Sequence, residues 1–244
     1  MDVPTLEHFL YSHKNEKKTE NSFPPVKIAV LIDGGFFVKR FNHLYNKDRK
    51  MTDEQVADHL YTMAMKHVGK SNTLYRIFYY DCPPLDKKVH NPISKKLVDF
   101  SSTEEYRFRT DLLDALKHKR KVALRIGTLK DNHNWQIYPG RVKELLSGKK
   151  SLEDLKDSEI YLDVQQKGID MKIGVDIATL ALKGFVDTIV LFSGDSDFVP
   201  AAKLARREGI DFILDPMQAN VEPQLFEHVD GITSLGPFNT RKKK

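Results

Sequence analysis

The chain has 244 residues, which at roughly 150 residues per domain favours one large domain with insertions over two domains. Its 40% content of hydrophobic residues is enough for a packed core, but no apolar run reaches the roughly 18 residues of a membrane-spanning helix, and the N-terminus does not resemble a signal peptide. A single cysteine, Cys82, excludes an internal disulfide framework. The 39 basic and 34 acidic residues give a formal net charge of +5. From the composition and the absence of long apolar runs we expect a folded cytoplasmic protein with no membrane association.

The predicted elements begin after an N-terminal arm. Residues 1–25 predict a flexible arm, because the segment is polar and ends in Pro24 and Pro25, which cannot continue a helix or a sheet ladder. From Val26 a nearly continuous apolar run predicts a strand buried on both faces of a parallel sheet, and Thr52 with Gln55 forms a capping-box pattern before the second helix. The predicted strands are 26–32, 74–81, 122–127, 188–192 and 211–214, and the predicted helices are 36–45, 53–68, 103–119, 170–183 and 197–208.

Strands and helices that alternate in this way predict an α/β domain, with a parallel sheet covered by helices on both faces. We assign this domain to residues 26–235, with basic insertions around 82–121 and 128–165. The second insertion includes a predicted hairpin around 135–138. Residues 236–244 form a basic C-terminal tail to which no role is assigned.

Acidic residues follow the predicted carboxyl ends of two strands, which is where open parallel sheets bind ligands. Asp33 follows the first strand, and Asp195 and Asp197 follow the fourth. In a sheet of order 3-2-1-4-5 these two loops are neighbours at the point where the strand order reverses. The sequence therefore predicts that three carboxylates meet at this edge.

The helix before the fourth strand adds a further acid. It runs antiparallel to the strands, so its first residue, Asp170, is expected at the same edge, at the head of a small and apolar stripe that faces the sheet. The other members of that stripe are Gly174, Ile177, Ala178 and Ala181. Asp176 lies about 120° further around the helix, where a pair with Lys172 at the solvent edge is a sufficient explanation.

Each of these acids alone also has a purely structural explanation. Asp195 fits a helix cap, Asp197 fits a first helical turn, and Asp33 fits an ordinary strand-end turn. Four carboxylates at one edge, however, repel one another and raise one another's proton affinity. A hard divalent cation such as Mg²⁺ or Mn²⁺ relieves that repulsion, since it takes oxygen ligands and commonly acts on phosphates. The spacing therefore predicts a cation site.

Three segments in this order resemble the NYN-domain (LabA-like) family of PIN-like ribonucleases. They are Ile-Asp-Gly-Gly at 32–35, Lys-Gly-Ile-Asp at 167–170 and Ser-Gly-Asp-Ser-Asp-Phe at 193–198. The resemblance covers about residues 26–231 and implies a PIN-like three-layer α/β/α fold with a parallel sheet of order 3-2-1-4-5. It also implies a metal-dependent endoribonuclease that cleaves RNA with Mg²⁺ or Mn²⁺. The positions that match the catalytic and metal-binding acids of the family are Asp33, Asp170, Asp195 and Asp197.

One position departs from the family pattern, because many members have Asn three residues after the first acid and this chain has Phe36. That departure leaves an alternative open, a catalytically weak RNA-binding or regulatory module that retains the fold. Second-tier candidates for the site are Ser193, which could orient a ligand or phosphate, Lys167, which could contact a phosphate, and Asp176.

Clustered basic residues indicate a polyanionic partner. The predicted RNA-binding residues are Arg107, Arg109, Lys117, Lys119, Arg120, Lys121, Arg141 and Lys143. Aromatic residues lie among them, including Tyr106, Phe108, Trp135 and Tyr138, which favours single-stranded RNA because its bases can stack on such rings. A solvated helix face with ordinary core aromatics explains the pattern equally well.

Other phosphate-handling α/β folds fit less well. A haloacid-dehalogenase phosphatase needs a second Asp two residues after Asp33, where this chain has Gly35. A response-regulator receiver needs an Asp at the end of the third strand, and this chain has none there. A P-loop sequence is missing as well. The sequence leaves the oligomeric state open, with a homo-oligomer as one option.

Overall fold

A computed structural model describes residues 24–238. The predicted arm up to residue 23 and the predicted tail from residue 239 lie outside the described residues. The strands are β1 (Lys27–Asp33), β2 (Thr73–Asp81), β3 (Lys88–His90), β4 (Leu97–Asp99), β5 (Val122–Ile126), β6 (Thr128–Ile137), β7 (Ile160–Lys167), β8 (Thr188–Phe192), β9 (Asp211–Asp215) and β10 (Gly231–Ile232). The α-helices are α1 (Gly34–Tyr45), α2 (Asp53–Val68), α3 (Glu104–Lys117), α4 (Pro139–Leu146), α5 (Ile169–Leu182), α6 (Val199–Arg207) and α7 (Pro223–Phe226).

The centre of the fold is a six-stranded parallel sheet in the order β10-β9-β8-β1-β2-β5. It differs from the expected five-stranded sheet by the short strand β10, which extends the β9 edge. Apolar residues alternate between the two faces of each central strand, because successive side chains of a strand point in opposite directions. Both faces are buried, which explains why the first strand reads as a continuous apolar run.

Each face of the sheet carries its own helical layer. Ile32 belongs to the core formed with α1, α2 and α3, which includes Phe41 and Leu60. Leu31, its neighbour on the same strand, belongs to the core formed with α5 and α6, which includes Ile177. The result is a mixed α/β fold with three layers, consistent with a PIN-like α/β/α architecture.

Local sequence signals located several helices correctly. The predicted capping box is present, since the Gln55 N–H donates to Thr52 Oγ1 and the Thr52 N–H donates to Gln55 Oε1 before α2. The helix predicted at 197–208 instead begins with a 3₁₀ turn at Ser196–Phe198 and continues as α6. No helix within residues 24–238 is both long enough and apolar enough to span a membrane.

The predicted hairpin around 135–138 is wrong in size. Residues 128–137 form one long strand, β6, which pairs antiparallel with β7 and places Trp135 opposite Leu162. Helix α4 and two 3₁₀ turns lie in the connection between these strands. Because α4 and these turns separate the two strands in the chain, a local pattern could not identify the strand partner. The pair β3 and β4 forms a second, smaller antiparallel sheet.

Candidate functional site

The carboxyl ends of three adjacent strands meet at one edge of the sheet. Asp33, the last residue of β1, lies opposite Tyr80 of β2, and Ile32 lies opposite Phe192, the last residue of β8. The loop that begins at Ser193 therefore starts beside Asp33. This arrangement brings the acids after β1 and β8 to the same crevice.

Asp33 ends the strand and caps the next helix. Its Oδ1 accepts a hydrogen bond of 3.1 Å from the Phe36 N–H at the start of α1. The pKa of Asp33 is raised to about 6, chiefly by burial and also by the negative charges of Asp170 and Asp81, while the hydrogen bond from the Phe36 N–H opposes the rise. The turn explanation is thus correct for Asp33, but the carboxylate also belongs to an electrostatically coupled acidic group.

Two glycines allow the chain to turn tightly after Asp33. A Cβ at Gly34 would lie 2.6 Å from Cζ of Tyr79 and 2.7 Å from the Tyr80 carbonyl oxygen, so only glycine fits at the start of α1. A Cβ at Gly35 would lie 3.5 Å from Asp33 Oδ1 and 3.7 Å from Gln166 Oε1. The side chain of Gln166, on β7, therefore also approaches this edge.

The loop after β8 holds two further acids in a fixed turn. Asp195 Oδ1 accepts from the Asp197 N–H at 2.9 Å, and the Asp195 N–H donates to Oγ of the fully buried Ser193 at 3.2 Å. Asp195 thus caps the 3₁₀ turn, as its structural explanation predicts. Asp170, in the first turn of α5, has a raised pKa because of partial burial and the negative charges of Asp195 and Asp197. The predicted acids therefore lie close enough to interact.

The face of α5 that packs against the sheet is displaced by about one residue from the predicted stripe. Asp170 is exposed, and the residues that face the sheet are Ile169, Ile173, Ile177, Leu180 and Ala181. The residues Gly174 and Ala178 of the predicted stripe are only half-buried. Asp170 thus lies at the edge of the buried face, where its carboxylate can reach solvent and the neighbouring acids.

Asp176 has different partners from those expected. Its Oδ2 accepts from the Tyr80 hydroxyl at 2.8 Å and from Arg125 Nε at 2.9 Å. Tyr80 is fully buried, and the Arg125 guanidinium also lies 4.8 Å from the centre of the Phe78 ring. The predicted pair with Lys172 is therefore wrong, because α5 turns Asp176 toward β2 and β5. Asp176 anchors α5 to the sheet rather than facing the acidic crevice.

A fifth acid, Asp81, lies at the end of β2 and is absent from the residues predicted for the site. It is 2% exposed, and both of its oxygens lie 3.1 Å from Nη1 of Arg109. Arg109 also binds Glu105 at 2.7 Å, and burial raises the pKa of Asp81 despite the guanidinium. The strand-end rule that identified Asp33 could have identified Asp81. The crevice is therefore less purely acidic than the sequence suggests.

Phe36 lies between the two acidic loops. A Cβ at Gly194 would lie 3.2 Å from Cε2 of the Phe36 ring, so the missing side chain of Gly194 makes room for that ring. Phe36 is half-buried and packs against the core beneath α1. An apolar ring thus lies beside Gly194, in the residue whose N–H also binds the Asp33 carboxylate.

The candidate second-tier residue Lys167 is exposed at the end of β7 and precedes Gly168, which caps α5 with a positive φ of 82°. Only glycine adopts this backbone conformation readily. Lys167 therefore lies three residues before Asp170, at the tight turn from strand to helix.

Most of the predicted RNA-binding residues lie away from the crevice. Val122 at the start of β5 pairs with Ile77 and Ile126 at its end pairs with Asp81, so Lys121 lies about 16 Å from the carboxyl edge. Lys119 is held by Asp58, and the Lys121 ammonium donates to the Leu74 carbonyl oxygen. The group Lys117, Lys119, Arg120 and Lys121 is thus at the wrong end of β5 to meet a phosphate at the acids.

The other predicted RNA contacts divide in the same way. Arg141 and Lys143 lie on α4, which precedes the first residue of β7, Ile160. Strand β7 spans about 23 Å from that residue to Lys167, the end that leads to the crevice. Arg141 is also bound to Glu144 and Glu159. Arg107 is exposed on α3, whereas Arg109 is mostly buried against Asp81. Of the predicted basic residues, Arg109 is the one in contact with an acid of the crevice.

The donor set at this edge fits a hard cation with retained water. Among the side chains that the structure describes, no three from His, Cys, Asp or Glu are arranged to hold a metal ion by themselves. Mg²⁺, however, is usually bound through one or two carboxylates with several waters. The charges of Asp170 and Asp81 raise the pKa of Asp33, and those of Asp195 and Asp197 raise the pKa of Asp170, which is the repulsion that such a cation relieves.

The fold and this edge define a class of protein: a three-layer α/β domain with an acidic crevice at the carboxyl ends of a parallel sheet. The family model described as the NYN domain matches residues 141–230, so this segment of the chain is similar to that family. The matched segment includes Asp170, Asp195 and Asp197 and does not include Asp33 or Asp81. No curated protein matches this sequence.

Two solved structures show partial likeness. One is a protein of unknown function from Vibrio parahaemolyticus, 16% identical, with a TM-score of 0.45 over 87% of this chain and 94% of that chain. Another was described for the mechanism and regulation of Sir2 enzymes and is 12% identical, with a TM-score of 0.35 over 87% of this chain and 88% of that chain. Both scores are below 0.5, so neither likeness supports a conclusion about function.

Proposed function

We propose that this chain is a metal-dependent endoribonuclease, of the LabA-like type, that hydrolyses phosphodiester bonds of single-stranded RNA. The observation that carries the proposal is the electrostatic coupling of the strand-end acids, since Asp170 interacts both with Asp33 and with the pair Asp195 and Asp197. The match of residues 141–230 to the NYN domain supports the reaction class.

The residues that would hold Mg²⁺ or Mn²⁺ directly are Asp33 and Asp195, because they follow adjacent strands. Asp170 and Asp197 would hold water molecules around the cation or a second ion. When bound, the cation supplies Lewis-acid stabilisation of negative charge on the phosphate oxygens. The reaction class requires no protein nucleophile.

The chain's own residues position the acids. Ser193 Oγ accepts the Asp195 N–H and so fixes the loop, and the Phe36 N–H fixes the Asp33 carboxylate. Arg109 binds Asp81 beside Asp33, so its positive charge offsets the repulsion between these two strand-end carboxylates. Phe36 sets the spacing between the two acidic loops, and Lys167 is available for a phosphate contact.

The test is cleavage of end-labelled RNA in Mg²⁺, Mn²⁺ or EDTA by the wild type, Asp33→Asn and Asp195→Asn. We expect cleavage by the wild type in the cations, none in EDTA, and a loss of orders of magnitude in both variants, because each change removes charge at nearly constant volume. Asp176→Asn is the matched control, since it makes the same change outside the crevice. Cleavage in EDTA would contradict the proposal, and cation-independent RNA binding without cleavage would indicate the regulatory module instead.

A further inference from the structure

A groove beside the crevice follows one face of α1. We name it the α1 groove, and it is lined by Gly35, Val38, Lys39, Asn42, His43, Lys47, Arg49, Glu105 and Arg109. It begins at the acids, because a Cβ at Gly35 would lie 3.5 Å from Asp33 Oδ1. Gly35, Lys39 and His43 recur every four residues and therefore share a face of the helix.

The α1 groove carries a surplus of positive charge. Lys39, His43 and Lys47 lie at or near the surface, and within residues 24–238 no carboxylate forms an ion pair with either lysine. The side chain of Arg49 is 74% exposed and lies 4.0 Å from the carboxylate of Glu105. Among the described residues, Glu105 is the only acid that lines the groove, and Arg109 binds it more closely, at 2.7 Å. Even when histidine is counted as neutral, more lysines and arginines than carboxylates line the groove.

The groove is continuous with a second, less polar pocket. That pocket shares Asn42, Arg49 and Glu105 with the α1 groove and adds Asn46, Met51, Glu104 and Phe108. Met51 and Phe108 are only partly buried, so an aromatic and a thioether surface face the pocket. Aromatic rings stack on the bases of single-stranded nucleic acid, while adjacent cations track its phosphates.

We propose that the phosphate backbone of single-stranded RNA reaches the crevice along the α1 groove, held by Lys39, Lys47 and Arg49, with a base at the Met51 and Phe108 pocket. From Gly35 to His43 the groove rises about 12 Å along the helix, which is long enough for more than one nucleotide. The inference rests on the proposed function for its substrate class, but binding is measurable without cleavage. It replaces the basic end of β5 as the route for RNA.

The experiment measures binding of a labelled unstructured RNA by fluorescence anisotropy in EDTA across a series of salt concentrations. The variant Lys39→Gln with Lys47→Gln should weaken binding at low salt and reduce the log-log salt slope by about 1.4, since each phosphate contact on a single strand contributes about 0.7. The matched control, Lys70→Gln with Lys203→Gln, removes the same charge from exposed sites away from the groove and should leave the slope unchanged.

A third variant, Lys117→Gln with Arg120→Gln, tests the route along β5. An unchanged slope in the groove variant, or an equal or larger loss in the control or the β5 variant, would overturn the inference. Binding of anionic lipid vesicles but not RNA through Lys39 and Lys47 would overturn it as well. A groove-dependent slope in a protein that never cleaves RNA in Mg²⁺ or Mn²⁺ supports the groove and refutes the nuclease, so the two proposals fail separately.

Discussion

Asp33 is destabilised in its ionised form, because burial and two neighbouring acids raise its pKa from 3.8 to about 6. A carboxyl group whose pKa is raised on folding stabilises the protein fully below its unfolded pKa, and this contribution is lost as the pH rises through the folded pKa. The metal-free wild type should therefore lose stability between about pH 4 and pH 6 through this residue, relative to a variant that cannot ionise there.

The variant Asp33→Asn tests this expectation. Asparagine caps a helix as well as aspartate does, so the Phe36 N–H keeps its partner. The variant should exceed the wild type in free energy of unfolding by about 1–3 kcal/mol at pH 7, a difference that disappears near pH 4. Urea unfolding in EDTA at several pH values measures it. A variant that is less stable at pH 7 would show that capping outweighs repulsion.

Asp170 and Asp176 lie on the same helix but should respond differently to the same change. Asp170→Asn should lower Mn²⁺ affinity and cleavage by orders of magnitude, because it removes a charge coupled to Asp195 and Asp197. Asp176→Asn should cost about 1 kcal/mol of stability, through weaker bonds to Tyr80 and Arg125, and leave cleavage near the wild-type rate. Equal effects on single-turnover cleavage would mean that Asp170 acts only as a first-turn residue of α5.

Gly34, the first residue of α1, packs closely against β2. Gly34→Ala should destabilise the protein by about 1–3 kcal/mol, because the new Cβ meets the Tyr79 ring and the rigid Tyr80 backbone. Gly174→Ala is the matched control within α5, where nothing lies within 4 Å, and it should stabilise by about 0.5–1 kcal/mol. Chemical denaturation of both variants provides the measurement, and a neutral Gly34→Ala would mean that α1 can shift away from β2.

For the molecule as a whole, cation binding should stabilise the fold, since a ligand that binds only the native state raises its stability by mass action. With Mn²⁺ at about 100 times its dissociation constant the gain is about 2.7 kcal/mol, which should appear as a rise in Tm of the wild type. Asp33→Asn combined with Asp195→Asn should begin at an equal or higher Tm in EDTA and show no further rise with Mn²⁺. A rise of the same size in the double variant would place the cation elsewhere.

The elements with local signals are predictable from the amino-acid sequence. The buried run at 188–192, the capping box at Thr52 and the acids after β1 and β8 are each recognisable within a few residues, because periodicity and capping depend on neighbours in the chain. The convergence of Asp33 with the loop after Ser193 follows from a general rule about parallel sheets. Both of the proposed direct ligands, Asp33 and Asp195, are thus identifiable from the sequence alone.

The contacts that join distant parts of the chain depend on tertiary packing instead. The pair of Asp81 with Arg109 joins residues 28 positions apart, and Asp176 pairs with Arg125 rather than with its helical neighbour Lys172, because the rotation of α5 over the sheet is fixed by packing. The same packing places the basic residues before β5 at the far end of that strand and leaves α1 beside the acids. Charge along a chain is a local property, whereas the field at a site depends on the distances that the fold imposes.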